Sequence, residues 1–308
     1  MPELPEVETI RRTLIDKIQN QIIEEIICYH PDVLVNPDDI ALKNWLIKDI
    51  RRRGKYLLFD LEKVKSDTYG NNNSENSPNN NTNISDNYYS ERIPNHITKS
   101  SCVMMIHLRM TGKLLLEENI VEPAKHTHVR FILSNGGSLD FNDTRRFGRV
   151  TLFIPGHEFN DHGFATLGPE PLGDEFTADY LIKTCIRYGK STIKGVLLNQ
   201  KAIAGIGNIY ADESLFRAGI MPERKAGEIS PTKIILLHQK IREVIAEAIG
   251  HRGTSFRDYV DGLGNKGFFQ LQLAVYQKDG KPCLNCGTPI EKIKVSGRST
   301  HFCPHCQK

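Results

Sequence analysis

The residues best suited to covalent chemistry stand at the start of the chain, Met1-Pro2-Glu3-Leu4-Pro5-Glu6-Val7-Glu8. An initiator methionine ahead of a small residue is normally trimmed, so the expected mature terminus is Pro2, carrying a secondary amine. Such an amine adds to an aldehydic carbon to give an iminium ion, which is cationic without an added proton and is an electron sink for breaking neighbouring bonds. Glu3 beside it can protonate a leaving or ring oxygen. Taken alone, the pair also reads as an ordinary helix start with proline and acids in its first turn.

The second chemical signal is Cys283-x2-Cys286-x16-Cys303-x2-Cys306. Two knuckles on a short ribbon can set four thiolates around one zinc ion with no position left open, which makes the metal structural. Disulfides are disfavoured because Cys28, Cys102 and Cys185 are scattered singly, as in a reducing compartment. Arg298 lies between the knuckles, either aimed at a nucleic-acid groove or phosphate or sitting on a solvated hairpin tip.

Three further segments carry candidate binding residues. Lys55 in Arg51-Arg52-Arg53-Gly54-Lys55-Tyr56-Leu57 opens a strand and either faces a ligand or guards a strand edge. Asp143-Thr144-Arg145-Arg146-Phe147-Gly148-Arg149 places an aromatic on a turn among guanidinium groups. That suits a wedge entering a base stack while an arginine reads an orphaned base; core packing is the alternative. Ala204-Gly205-Ile206-Gly207-Asn208-Ile209-Tyr210 is a glycine-rich turn opening a helix, with Asn208 as cap. It is either a phosphate site or a plain helix–helix turn. The glycine-heavy stretch 251–269 is a ligand-closing loop or an ordinary surface loop.

Regular elements must hold these residues. Val7, Ile10, Leu14 and Ile18 recur at helical steps and predict an amphipathic helix over 3–19 that anchors the reactive terminus. Strands are expected at 21–28, 57–61, 102–107, 113–116, 129–133, 138–141 and 149–153, in a β-sandwich. Residues 63–100, with eight Asn among 71–83, predict a disordered insertion. The Pro- and Gly-dense stretch 155–175 reads as a linker, followed by helices at 176–188, 192–198, 209–217 and 231–249. The domains are therefore 1–154, a helical domain 176–282 and a zinc ribbon 283–308, in an α+β architecture.

The 308 residues are 39% hydrophobic and 25% charged, and no apolar run approaches a membrane span or a signal peptide, so a cytoplasmic monomer is expected. The net charge of +3 conceals an asymmetry. Residues 1–182 hold 20 Lys and Arg against 27 Asp and Glu, whereas 183–308 hold 20 against 10, a basic half that suits phosphates.

PELPEVE, RRxGKYL, HLxMTG, DTRRFG, LGPEPL, AGIGNIYADESLFRAGI and the four-cysteine ribbon together resemble the formamidopyrimidine-DNA glycosylase family over nearly the whole chain except 63–100. The resemblance implies excision of oxidised purines from damaged double-stranded DNA, then nicking of the abasic site, by a protein associated with the nucleoid through DNA. It implies Pro2 as the nucleophile forming a Schiff base, Glu3 as the acid, Lys55 as a phosphate contact and proton donor for β-elimination, and Arg298 as the arginine of δ-elimination. Met110, Arg145 and Phe147 would fill the hole left by the everted nucleotide, Arg145 facing the estranged cytosine and Arg146 beside it on DNA. His126, Lys194 and Asn208 would be backbone or near-site contacts, and the helices around 205–219 a helix-two-turn-helix.

Arg109 stands where many members have glycine, Thr144 where proline is usual and Gly189 where a lysine is common, which bears on affinity and opposite-base preference. Two other readings are an endonuclease VIII-type enzyme acting on oxidised pyrimidines and a non-catalytic damage-binding zinc-ribbon protein.

Overall fold

The computed structural model describes residues 2–64, 100–255 and 259–308. Most of the 63–100 insertion lies outside the described residues, as do residues 256–258 of the 251–269 loop. The first helix, α1 (Leu4–Ile18), is opened by a capping box in which Glu3 and Glu6 reciprocally satisfy backbone N–H groups. Its apolar face divides between two cores. Leu4 packs among the C-terminal helices, while Val7, Ile10, Leu14 and Ile18 pack on the sheet. The segment that should carry the chemistry is thereby fixed at the junction of the two halves.

Nine strands follow in or around that first core: β1 (Ile22–Cys28), β2 (Leu34–Val35), β3 (Lys43–Arg53), β4 (Tyr56–Lys63), β5 (Ser101–His107), β6 (Gly112–Glu117), β7 (Thr127–Leu133), β8 (Ser138–Asp143) and β9 (Arg149–Phe153). They form one sheet in the order β2-β9-β5-β4-β3-β1-β7-β8-β6. Although β8 and β9 stand far apart in that order, a Cβ on Gly148 would lie 2.5 Å from the Phe141 ring. The sheet therefore doubles over on itself, and Phe131 and Phe141 of one half share a core with Phe59, Met104 and Leu152 of the other. The β4–β5 pair closes with the Lys63 N–H donating to the Ser100 carbonyl, so the insertion leaves and re-enters at one end of a hairpin.

A connection containing α2 (His162–Ala165) leads to α3 (Ala178–Arg187), α4 (Ile193–Leu198), α5 (Asn208–Ala218) and α6 (Pro231–Gly250). Leu215, Leu237, Ile241 and Ile245 are fully buried in their shared core. The chain ends in the antiparallel hairpin β10 (Glu291–Val295) and β11 (Arg298–Phe302). Among the described residues no helix is long and apolar enough to cross a membrane.

Candidate active site

The glycine turn before α5 is shaped around the N-terminus. The Leu4 N–H donates to the Gly205 carbonyl at 3.0 Å, and a Cβ on Gly207 would fall 2.3 Å from the Glu3 carboxyl carbon. Only glycine at 207 lets that carboxyl approach. Its two oxygens accept from the backbone N–H groups of Gly207 (2.8 Å) and Ile209 (3.0 Å). The helix cap is Gly207 rather than Asn208, and the N–H groups expected to await a phosphate are taken by an acid of the same chain. Asn208 instead donates from its side chain to the Ser299 carbonyl at 2.8 Å, tying α5 to the C-terminal hairpin.

Glu3 is 3% exposed. Burial pushes its carboxyl above the ordinary value, against Lys55 and the N–H groups that favour the charged form. Lys55 is also buried, and loss of water lowers its ammonium pKa while Glu3 and Glu6 partly restore it. Glu6 rises to about 7, first from burial and then from the neighbouring Glu3. It accepts from the Glu3 N–H (2.7 Å), the Thr254 N–H (2.8 Å) and the Tyr210 hydroxyl. Two acids and a lysine are thus held in one dry place, where small changes in geometry move protons.

Glu3, Lys55, Met110, Asn208 and Arg298 line one cavity of about 890 Å³, and Pro2 is buried directly before Glu3. Met110, on its lining, is 40% exposed and Phe147 49%, and the Arg145 guanidinium lies 4.6 Å over the Phe147 ring and 3.2 Å from the Met110 sulfur. Buried Asp143 fastens the cluster by accepting from the Thr111 hydroxyl (2.5 Å) and from the Arg145 (3.1 Å) and Gly148 (2.8 Å) N–H groups. Three residues from two loops become one exposed apolar and cationic projection.

The remaining candidates lie elsewhere. Arg146 turns to hydrogen-bond His30 Nε2. His126 is half-buried with φ at +74°, and its carbonyl accepts from the Asp143 N–H. Lys194, expected on DNA or near the site, is 0% exposed, its Nζ 2.5 Å from Asp212 and bonded to Thr300 Oγ1 (2.7 Å) and the Ser299 carbonyl (3.1 Å). Enclosed in this way, it holds the Arg298 hairpin against α5.

His107, the first residue of HLxMTG, also lines the cavity, though no role of its own was expected of it from sequence. His107 pairs with Tyr56 across β4 and β5, which sets it one residue from Lys55 in space. Burial, helped by Arg109 and Lys55, drops its pKa to about 3, so the ring is neutral. Its Nδ1 accepts from the Arg109 N–H at 2.9 Å, leaving Nε2–H as a donor. No periodicity marks that role.

The four cysteine sulfurs lie within 4.8 Å of one another, with Cys283–Cys306 at 3.9 Å and Cys286–Cys303 at 3.5 Å. A tetrahedral site with zinc–sulfur bonds of about 2.3 Å needs sulfur–sulfur edges of about 3.8 Å, so the set fits one zinc and no disulfide. Among the described residues the apolar cluster around it is small: Phe216, Val275 and Ile290 with Cys283 and Cys303, and Ala274 and Cys306 packed against them. So small a core cannot hold the hairpin alone. Cys283→Ser is expected to lose the one bound zinc and, by hydrogen exchange, the protection of β10 and β11, while amides of the nine-stranded sheet stay protected.

Three family models match the chain: the formamidopyrimidine-DNA glycosylase N-terminal domain over 1–150, its H2TH domain over 167–260, and the zinc finger found in FPG and IleRS over 280–308. The formamidopyrimidine-DNA glycosylase of Bacillus licheniformis is 39% identical, with all of both chains covered. An FPG mutant of Lactococcus lactis solved with a Fapy-dG containing DNA superposes with a TM-score of 0.80 at 33% identity, covering 100% of each chain. The wild-type Lactococcus lactis protein solved with an oxidized pyrimidine containing DNA gives the same TM-score, identity and coverage. Motifs, fold and full-length likeness agree: the chain belongs to the formamidopyrimidine-DNA glycosylase family.

Proposed function

We propose that the protein is a base-excision DNA glycosylase and abasic-site lyase that removes oxidised purines, 8-oxoguanine and formamidopyrimidines, from duplex DNA. The observation that carries this reading is the convergence of Glu3, Lys55 and Arg298, from three separate parts of the chain, on one cavity beside Pro2. The freed Pro2 nitrogen attacks C1′ of an everted nucleotide, and the glycosidic pair leaves with the base. Glu3 gives a proton to the ring oxygen, and the opened sugar is an iminium on Pro2. Loss of a C2′ proton then breaks the C3′–oxygen bond, with Lys55 at the departing phosphate. Arg298 assists the second elimination, which breaks the C5′–oxygen bond, and water releases Pro2.

Eversion costs on the order of a few kcal/mol, and the Met110, Arg145 and Phe147 projection offsets it by filling the vacated stack, with Arg145 at the estranged cytosine. His126, Arg146 and Asn208 serve the DNA backbone. Lys194 serves it indirectly, through the hairpin that carries Arg298. The protein acts as a cytoplasmic monomer, on the nucleoid through its substrate.

The test is single-turnover excision by tag-free protein on duplexes carrying 8-oxoguanine, a formamidopyrimidine or thymine glycol. The purine lesions are expected to be cut faster by about 10-fold or more, leaving phosphate at both ends of the gap. The Lactococcus lactis complex with an oxidised pyrimidine makes thymine glycol the proper comparison. Preference for thymine glycol would favour the endonuclease VIII-type reading, and tight binding without cleavage the damage-binding one.

A further inference from the structure

The turn carrying Lys55 is gripped from outside the cavity. Glu170, in the connection between α2 and α3, accepts from the Gly54 N–H at 2.6 Å and from Arg53 Nη1 at 2.9 Å on one oxygen, and from Arg52 Nη1 at 2.6 Å on the other. Arg53 also donates to the Leu167 (3.1 Å) and Gly168 (2.6 Å) carbonyls. Arg52 reaches back to Glu8 of α1 at 3.0 Å. Burial opposes the Glu8 charge, but Arg11, Arg12 and Arg52 outweigh it and hold the carboxyl down at about 2. The chain Glu8–Arg52–Glu170–Arg53 thus joins the helix that presents Pro2, the turn that presents Lys55 and the connection between the two cores.

Gly54 is the joint of this arrangement. It sits at φ +56°, and a Cβ there would meet Leu167 at 3.3 Å and Ala204 at 3.5 Å. Its N–H is bonded to Glu170 one residue before Lys55, so a shift of the connection moves the Lys55 backbone directly. These side chains are largely enclosed, Arg52 and Glu170 being 14% and 22% exposed, so solvent screens the contacts less than those of a surface pair. None of the four groups lines the active cavity. The shortest route from Glu170 to a cavity residue runs through the Gly54 N–H to Lys55.

We propose that Glu170 is a positioning residue that sets the Lys55 ammonium against the reacting sugar and phosphate by clamping Gly54 to the interdomain connection. The inference rests on the role given to Lys55 above. A misplacement of about 1 Å costs up to about 100-fold in rate without loss of binding.

The experiment uses full-length, zinc-loaded protein with free Pro2, in the variants Glu170→Gln, Glu170→Ala, Lys55→Ala and Lys55→Ala/Glu170→Gln. Single-turnover cleavage of 8-oxoguanine and preformed abasic duplexes is read beside affinity for a duplex holding a tetrahydrofuran abasic analogue. Glu170→Gln, which keeps an acceptor for Gly54, is expected to slow cleavage by about 10-fold and Glu170→Ala by about 100-fold, with affinity changed less than about 2-fold. In the Lys55→Ala background Glu170→Gln should add nothing. If Lys55→Ala is slow but the two losses multiply, the clamp is refuted and the role of Lys55 survives. If Lys55→Ala cleaves at the normal rate, both fall together. Loss of affinity in step with rate would make Glu170 a folding residue and refute the proposal.

Discussion

A form of the protein that keeps Met1, or carries any acyl group on Pro2, is expected to yield no borohydride-trapped adduct with an 8-oxoguanine·cytosine duplex. Its excision rate should fall on the order of 10⁴-fold or more, the scale on which removal of a covalent nucleophile registers. An acylated proline nitrogen has no lone pair to give, whereas the free secondary amine becomes a permanently charged iminium as it adds to C1′. The residues around it are firmly held. Pro2 is buried, the next residue is pinned through both carboxyl oxygens to α5, and Leu4 is locked into the helical core.

Pro2→Gly provides the graded comparison. A primary amine still forms an imine, but needs an added proton to become cationic and has lost the ring that fixes its lone pair. An adduct is therefore expected, at a rate lowered by roughly 10- to 100-fold. Mass spectrometry should assign the adduct to residue 2 in both trapped forms. No adduct from protein with a verified free Pro2, despite tight binding of the same duplex, would overturn the Schiff-base mechanism and leave the damage-binding reading.

What the sequence disclosed were residues whose chemistry is local. The four cysteines carry their geometry in their spacing, and the helix over 3–19 carries its period in four apolar residues, so α1 and the zinc cluster stand where they were expected. The eleven-residue strand β3 was not legible, because its register slips between Ile47 and Asp49 and breaks the alternation that marks a strand. Asn208 resembled a cap because capping residues are read by type. The structure gives the capping bonds to Glu3, more than two hundred residues away, an approach that depends on the missing side chain of Gly207. The resemblance put Lys194 at the DNA backbone or near the site; a lysine's partner is invisible in sequence, and here it is a buried Asp212. His107 stands in the HLxMTG motif, but its place at the cavity comes from cross-strand pairing with Tyr56, which the sequence does not show.

Glu3→Gln is the substitution expected to separate base loss from strand cleavage. The glutamine cannot donate a proton to the ring oxygen, and with one carbonyl oxygen for two backbone N–H donors it must turn its amide group against one of them. Excision from an 8-oxoguanine duplex should fall by about 10²- to 10⁴-fold, the usual contribution of a positioned acid. A preformed abasic site is already aldehydic and has no base to expel, so its cleavage should fall by no more than about 10-fold. The pH dependence fixes the assignment by its sign. The acid form of Glu3 is present below its pKa and is lost as pH rises through it, and burial moves that limb upward from the ordinary carboxylate range. Pro2 attacks only as the neutral amine, so its protonation removes activity on the acid side. The native profile is therefore expected to be bell-shaped, and the variant should keep the acid limb while losing the alkaline one. Single-turnover rates measured from acid to alkaline pH decide the matter: an alkaline limb that persists unchanged in Glu3→Gln would show that another group supplies the proton.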